Sequence, residues 1–213
     1  MIRIGIELNG VVRNVNKQIL KYYQKDINPS LDLDDVDDKD DVFKYAKFDS
    51  LTDKNNFIYI DYPYEIFGCA KTMSKDIPML MNNWLSELTN YEDDDVEISF
   101  FSLDEEALTI QSSYFFLSKI GTRVRQIVFP KNVDDIKETY DVIISANKNV
   151  LDFFENNDGT YVVQISNKTN EKCESNKKYD SLDDVIKDEE FLKEVQEFVN
   201  NKNNKDIADG ESN

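Results

Sequence analysis

The sequence predicts an α/β fold: a mostly parallel sheet with helices on both faces and a long insertion after the first strand. Three observations predict it. Short apolar runs alternate with amphipathic segments after residue 95. A similar β-branched run, Ile2–Glu7, opens the chain and stops at the turn dipeptide Asn9-Gly10. Between them, residues 15–95 break this rhythm and end in the acidic run Glu92–Asp95. The expected divisions are a core of residues 1–14 and 96–199, a cap-like insertion of residues 15–95, and a disordered polar tail of residues 200–213.

The second part of the core supplies most of the predicted elements. Besides Ile2–Glu7, the predicted strands are Val96–Phe101, Val124–Phe129, Val142–Ser145 and Tyr161–Ile165. The predicted helices are Glu105–Ile120, Val133–Glu138, Asn149–Phe154 and Leu182–Val199. In the first of these helices, apolar residues recur at helical spacing, and Gly121 is expected to end it.

The insertion contains four recognisable segments. Asn14–Gln24 predicts a helix with Asn14 or Asn16 as its N-cap, and Ile77–Leu88 predicts an amphipathic helix. Phe57–Tyr64 is aromatic and predicts a strand or an extended loop. The acidic run Asp32–Asp41 is typical of a solvated loop. Calcium binding is the alternative, although the run lacks the mid-loop Gly and terminal Glu of an EF-hand.

Composition excludes several classes of function. Lys+Arg is 25 and Asp+Glu is 43, so the net charge is −18, which disfavours binding to nucleic acid or to an anionic membrane. The chain has no His, which excludes Ser–His–Asp and Cys–His catalysis. Cys69 and Cys173 are distant from each other and are expected to be ordinary thiols of a reducing compartment. With neither a signal peptide nor a long apolar run, we expect synthesis in a cytoplasm.

Chemistry-bearing residues follow the strands of the predicted sheet, where ligands of such folds bind. The segment Ile4–Val12 reads IGIELNGVV and resembles the first motif of the haloacid dehalogenase-like (HAD) phosphatases, an apolar strand followed by Asp-x-Asp-Gly-Thr/Val. Ser102 matches the Ser/Thr of the second motif, and Lys131 the Lys of the third. The insertion after the first strand is similar to the cap of the deoxyribonucleotidase branch. The resemblance implies a Rossmann-like core and a pocket formed by Glu7, Asn9, Ser102, Lys131 and Asn147.

The same positions depart from the catalytic pattern of the family. Glu7 stands where the family has its nucleophilic Asp, and it is one methylene longer, which displaces the carboxylate from an in-line geometry. Asn9 stands where the family has its acid/base Asp, and an amide does not exchange protons at neutral pH. After the strand that ends at Ser145, the sequence Ala146-Asn147-Lys148 replaces the carboxylates that hold Mg²⁺. We therefore expect a vestigial pocket with no catalytic residues, metal or cofactor. The alternative is a divergent Mg²⁺-dependent nucleotidase that uses Glu7.

Individual pocket residues also have simpler interpretations. Glu7 is expected to bind a neighbouring loop rather than a ligand. Ser102 is an N-cap candidate for the helix that follows it, and Lys131 can be a solvated loop lysine.

Aromatic residues in the insertion are the second candidate site. Tyr62, Tyr64 and Trp84 form either part of a small core of the insertion or an interface with another protein, where Tyr and Trp are enriched. Because the net charge is −18, the expected partner is a protein with basic patches, and an oligomer is compatible with the sequence. The residue bias towards Asn, Lys, Ile and Asp, typical of AT-rich genomes, suggests a bacteriophage protein incorporated into the virion, for example in its neck or tail.

Overall fold

A computed structural model describes residues 1–37, 39–89, 96–103, 107–124, 126–155 and 159–210. Within these residues, the strands are β1 (Ile2–Glu7), β2 (Val96–Phe101), β3 (Ile127–Val128), β4 (Val142–Ser145), β5 (Tyr161–Ile165) and β6 (Lys177–Tyr179). They form one parallel sheet in the order β3-β2-β1-β4-β5-β6. The reversal of strand order on either side of β1 places its carboxyl end at the switch point of the sheet.

The centre of the sheet depends on a glycine in β1. A Cβ added to Gly5 would lie 2.7 Å from the ring of Tyr140, so only glycine lets this ring pack on the strand. Tyr140 is buried, and its hydroxyl accepts a hydrogen bond of 2.8 Å from Ser99 on β2. The contact fixes β1 against its neighbours and thereby the position of the residues that follow it.

Helices cover both faces of the sheet. The α-helices of the described residues are α1 (Val15–Asp26), α2 (Leu51–Asn55), α3 (Ile77–Thr89), α4 (Ala107–Ile120), α5 (Val133–Thr139), α6 (Lys148–Phe154), α7 (Leu182–Lys187) and α8 (Phe191–Gly210). One face packs against Trp84 of α3, Phe116 of α4 and Phe191 of α8. The opposite face packs against α5 and α6. The predicted α/β fold with helices on both faces is therefore confirmed.

The local signals for helix ends act as the sequence indicates. Asn14 is the N-cap of α1, because its side chain accepts a hydrogen bond of 3.0 Å from the amide of Lys17. Gly121 follows α4 with a positive φ of 70°, a conformation that favours glycine. The helix start at which Ser102 is the predicted N-cap lies outside the described residues.

The insertion has a hydrophobic cluster of its own, and this cluster stops before α3. It joins α1 to a 3₁₀-helix, Val42–Lys44, and to two π-helices, Asn56–Asp61 and Tyr64–Gly68. Helix α3 instead packs on the sheet through Ile77, Met81 and Trp84. Helix α3, within the predicted insertion, thus contributes to the core of the sheet, and an amphipathic pattern alone does not reveal which core a helix covers.

Other elements differ from the prediction in detail. The aromatic segment predicted as a strand or extended loop forms π-helices, and its large side chains pack among themselves. The helix predicted over Leu182–Val199 is divided into α7 and α8. Helix α8 continues to Gly210, through most of the tail expected to be disordered. None of the described helices combines the length and hydropathy of a membrane span.

Candidate functional site

A tight turn after β1 builds the first part of the site. The carbonyl of Leu8 accepts hydrogen bonds from the amides of Val12 (3.1 Å) and Arg13 (2.8 Å). Gly10 has a φ of 79°, which the turn requires and which strains any residue with a side chain. The turn brings Asn9 next to the end of β2, where its Nδ2 lies 3.3 Å from Ser102 Oγ.

Glu7, the last residue of β1, is bound by the loop that follows β4. Its side chain is buried. Oε2 accepts hydrogen bonds from Ser145 Oγ at 2.6 Å and from the amide of Ala146 at 3.3 Å. Oε1 accepts one from Asn147 Nδ2 at 3.3 Å. Both carboxylate oxygens therefore accept hydrogen bonds from the loop that follows β4.

Burial controls the ionisation of Glu7. Loss of hydration disfavours the charged form and raises the pKa from 4.5 to about 7, although the hydrogen bonds from Ser145, Asn147 and Ala146 oppose the shift. Near neutral pH, the carboxyl group is thus distributed between its protonated and ionised forms.

Arg13, which the sequence interpretation did not include, holds Asn9 from the other side. Its guanidinium is fully buried and donates from Nε and Nη2 to Asn9 Oδ1, at 2.9 and 2.6 Å. Nη1 donates to Ser113 Oγ on α4 at 2.7 Å and to the carbonyl of Phe67 at 3.3 Å. The guanidinium also lies over the ring of Phe116, 5.6 Å from its centroid. Arg13 therefore connects the β1 turn, the insertion and the core.

Both polar atoms of the Asn9 side chain form hydrogen bonds within the chain. Oδ1 faces the guanidinium of Arg13, and Nδ2 faces Ser102, so the amide is oriented by partners on both sides. The sequence carries no local signal for Arg13, because Phe67 and Ser113 are distant from it along the chain.

A cavity of about 600 Å³ lies at the carboxyl edge of the sheet, and we call it the edge cavity. Glu7, Asn9 and Asn147 line it, whereas Ser102 is not among the described lining residues and accepts a hydrogen bond from Asn9. Lys131 is exposed after β3 and is not among the described lining residues; its amide donates to Asp135. The structure therefore brings together four of the five predicted pocket residues.

The remaining walls of the edge cavity are rich in amides and also include the carboxylates of Asp40, Asp41 and Asp180. Asn14, Asn16, Asn149 and Asn167 contribute to the lining. Two lysines also line it, and each is paired with a carboxylate: Lys39 with Asp180 at 3.1 Å, and Lys148 with Asp152 one turn along α6. A phosphate group would have to compete with these carboxylates for both cations.

The acidic loop of the insertion lies at the mouth of the edge cavity. Asp40 belongs to the lining and pairs with Lys44 at 2.7 Å, while Lys168, in the loop after β5, reaches Asp37 at 2.8 Å. The amide of Lys168 also donates to the carbonyl of Lys39 at 2.9 Å. These bonds tie the predicted solvated loop to the core; residue 38 lies outside the described residues.

The residues of the edge cavity do not fit the Mg²⁺ ion that the fold family implies. Such an ion needs several anionic oxygens at short distance. Ala146, Asn147 and Lys148 supply none, and the oxygens of Glu7 are directed to Ser145, Ala146 and Asn147. Across the described residues, no three His, Cys, Asp or Glu side chains converge as a metal site.

The three predicted interface aromatics lie in different environments. Trp84 is only 4% exposed and packs against Phe191, so it belongs to the core and is wrong as an interface residue. Tyr62 is half-buried, donates its hydroxyl to Asp26 and packs against rings of the insertion. Tyr64 is 46% exposed and lies beside Phe115 of α4, with 5.0 Å between ring centroids. Only Tyr64 is largely on the surface.

Comparison with known proteins supports the fold. The chain is similar to a crystal structure described as a haloacid dehalogenase-like hydrolase from Burkholderia xenovorans LB400, with a TM-score of 0.54 and 10% sequence identity. The similarity covers 90% of this chain and 98% of that one. No protein-family model and no curated protein sequence matches. Similarity at this identity establishes architecture and leaves chemistry to the site. The chain thus has the Rossmann-like α/β fold of the HAD-like proteins.

Proposed function

We propose that this chain is a catalytically inactive HAD-like protein, a degenerate relative of the deoxyribonucleotidase branch, which acts as a structural or interaction component. One observation carries the proposal: both oxygens of the Glu7 carboxylate accept hydrogen bonds from the loop of Ser145, Ala146 and Asn147. A carboxylate held in this way serves as a buried link between β1 and β4.

Phosphoryl transfer makes demands that these residues do not meet. A nucleophilic carboxylate has to be ionised and aimed at phosphorus, whereas Glu7 is buried with its pKa raised to about 7 and bound to a loop. The leaving group needs a proton donor, and Asn9 offers only an amide fixed by Arg13 and Ser102. The equatorial phosphoryl oxygens need cations, and the two lysines of the edge cavity are paired with carboxylates.

The finer setting that we propose is a bacteriophage virion, in which the protein contacts basic partners. Support comes from the net charge of −18 and from a residue bias typical of AT-rich genomes, with only 6 Gly and 4 Pro. The chain retains a complete core although its catalytic pattern is degenerate, as expected of a protein that is selected for its shape.

Phosphate release separates this proposal from the alternative of a divergent Mg²⁺-dependent nucleotidase. We expect no release above buffer from nucleoside monophosphates or p-nitrophenyl phosphate, with or without Mg²⁺. The variants are Glu7→Gln and, as a matched control at an exposed position, Glu174→Gln. Mg²⁺-dependent turnover that is lost in Glu7→Gln and retained in Glu174→Gln would establish the alternative.

A double variant tests whether restoring the first motif alone is enough for catalysis. Glu7→Asp with Asn9→Asp restores both aspartates of the first motif, yet we expect it to remain inactive. Ala146, Asn147 and Lys148 still supply no carboxylate for a metal ion. Turnover by this variant would show that only the first motif limits catalysis and that the rest of the pocket is competent.

A further inference from the structure

Helix α4 has its polar and apolar faces in an unusual arrangement. The face towards the core carries Phe116, with Leu117 and Ile120 packed against the same core, and it also carries three buried small polar residues, Thr109, Ser112 and Ser113. The outer face carries large apolar residues instead: Leu108 is 52% exposed, Tyr114 54% and Phe115 42%. A helix that serves only its own core carries mostly polar residues on its outer face.

The small polar residues on the inner face form hydrogen bonds that stabilise the fold. Ser113 Oγ accepts a hydrogen bond from the buried guanidinium of Arg13, and Ser112 Oγ donates to the carbonyl of Leu108 one turn earlier. Of the outer residues, Phe115 packs against Tyr64, and Tyr114 packs against the ring of Phe129 with 5.9 Å between centroids. These contacts leave 42% of Phe115 and 54% of Tyr114 exposed, and this remainder, together with Leu108, points to contact with another molecule.

The outer residues form one continuous uncharged area. Residues 107–118 include no Asp, Glu, Lys or Arg in a chain that is 32% charged. Tyr64 of the insertion extends the area, because its ring lies 5.0 Å from that of Phe115. With partial exposure of four large side chains, the apolar area is on the order of 400 Å², comparable to the largest patches of monomeric proteins. We call it the α4 surface; it comprises Tyr64, Leu108, Gln111, Tyr114, Phe115 and Ser118.

Charges around the α4 surface indicate what binds there. Asp61 and Glu65 flank Tyr64 in sequence, and Asp61 is exposed. Lys119, next to the surface on α4, donates its Nζ to the carbonyls of Gly68 and Ala70 at 3.0 and 2.7 Å. An approaching molecule thus meets an apolar centre in the field of a chain with net charge −18. A second copy would bring the same sign of charge to the contact, whereas a basic partner would neutralise it.

We propose that the α4 surface binds an apolar segment of a partner protein that is flanked by basic residues. The inference rests on the proposed function, since a protein that acts by contact needs a contact surface. Apolar side chains of the partner pack on Leu108, Phe115 and Tyr64, and its basic residues face the acidic surroundings. The two proposals fail separately: phosphate release would overturn the proposed function, and the binding measurements below address only the surface.

Binding of a designed peptide tests the surface. The probe is a fluorescent amphipathic helical peptide of Leu and Lys, and its counterpart has Glu in place of Lys. The surface variant is Leu108→Ser with Phe115→Ser. The matched control is Leu51→Ser with Phe153→Ser, which changes the same residue types at positions that are 69% and 37% exposed. Neither double variant changes net charge, so non-specific attraction contributes equally.

We expect the Lys peptide to bind wild type and the Leu51/Phe153 control alike, and to bind the surface variant about tenfold or more weakly. We expect the Glu peptide not to bind. Equal affinity for the surface and control variants, no binding to wild type, or equal binding of the Glu peptide would each overturn the proposal.

Two further measurements test the role of charge without removing apolar contacts, and the tendency of the chain to self-associate. Gln111→Lys with Ser118→Lys removes no apolar contact, and it should weaken binding of the Lys peptide more than Asn83→Lys with Gln196→Lys, which adds the same charge at exposed sites elsewhere. Equal weakening would contradict the proposal.

In sedimentation at micromolar concentration, wild type should be monomeric. A dimer that dissociates in the Leu108/Phe115 variant would assign the surface to a second copy and overturn the basic partner.

Discussion

The side chains of the edge cavity are bound to other residues of the chain, whereas those of the α4 surface are exposed. In the edge cavity, the polar side chains form hydrogen bonds with other residues of the chain. Glu7 accepts them from Ser145 and Asn147, and Asn9 donates one to Ser102. On the α4 surface, Leu108 and Phe115 are large, uncharged and exposed. Arg13 connects the two regions, since it binds Asn9 on one side and Ser113 of α4 on the other. The polar side chains at the strand ends are thus bound within the chain, whereas the apolar side chains of α4 remain accessible. Our proposals assign a structural role to the first region and a contact role to the second.

The largest effect is expected for Arg13→Ala. The substitution removes the hydrogen bonds that Arg13 donates to Asn9, Phe67 and Ser113, and it removes the packing of the guanidinium on Phe116, so it should lower the free energy of unfolding by roughly 3 kcal/mol or more. Urea unfolding followed by circular dichroism measures it. Arg123→Ala, at an exposed position, is the control and should change stability by about 1 kcal/mol or less. Similar effects at both positions would show that the polar network does not support the fold.

A second prediction concerns the ionisation of Glu7. Its pKa is about 7 in the folded chain, above the ordinary 4.5, so the folded chain retains a proton that the unfolded chain has lost. The contribution of Glu7 to stability is therefore complete below about pH 4.5 and is lost as the pH rises towards 7, by about 3 kcal/mol in total.

Glu7→Gln isolates this effect, because an amide does not titrate. The variant should gain stability relative to wild type between pH 4.5 and pH 8, measured as the difference in free energy of unfolding at each pH. Glu174→Gln at an exposed position should show little change in this difference. A difference for Glu7→Gln that is constant with pH would mean that Glu7 is ionised throughout, as a ligand-binding carboxylate would be.

The smallest effect on stability is expected on the α4 surface. Leu108→Ser with Phe115→Ser should lower the free energy of unfolding by about 2 kcal/mol, roughly 1 kcal/mol for each side chain, because both are already about half exposed in the folded chain. Thermal and urea unfolding measure it alongside the Leu51/Phe153 control. A loss comparable to that of Arg13→Ala would mean that the outer face of α4 is part of the core and would remove the contrast between the two regions.

Local patterns in the sequence predict the central elements of the fold but not its edges. The boundaries of β1, β2 and β4 follow from apolar runs that are buried on both faces. Strand β3 has only two residues, because it pairs with β2 only at Phe100 and Phe101. Strand β6 has the sequence Lys-Lys-Tyr, which contains no apolar run that would predict a strand. Short edge strands are defined by their neighbour more than by their own residues.

The candidate site was predictable where a motif specifies position. The ends of β1, β2 and β4 bring Glu7, Asn9, Ser102 and Asn147 together because parallel strands end at one edge. Arg13 was missed because its partners, Phe67 and Ser113, are distant in sequence and meet only in the folded chain. The orientation of α4 was equally hidden, since helical spacing identifies an apolar face without showing whether that face meets the core.

The most direct test of the account is the size of the protein in its native setting. We would isolate the tagged chain from the organism that encodes it, as wild type, as Leu108→Ser with Phe115→Ser, and as the Leu51→Ser with Phe153→Ser control, and measure the mass of each assembly. The account predicts that wild type and control are recovered in a defined complex well above the 24.8 kDa of the chain, and that the surface variant is not. Recovery of wild type as a lone monomer would contradict the claim that this protein acts by contact.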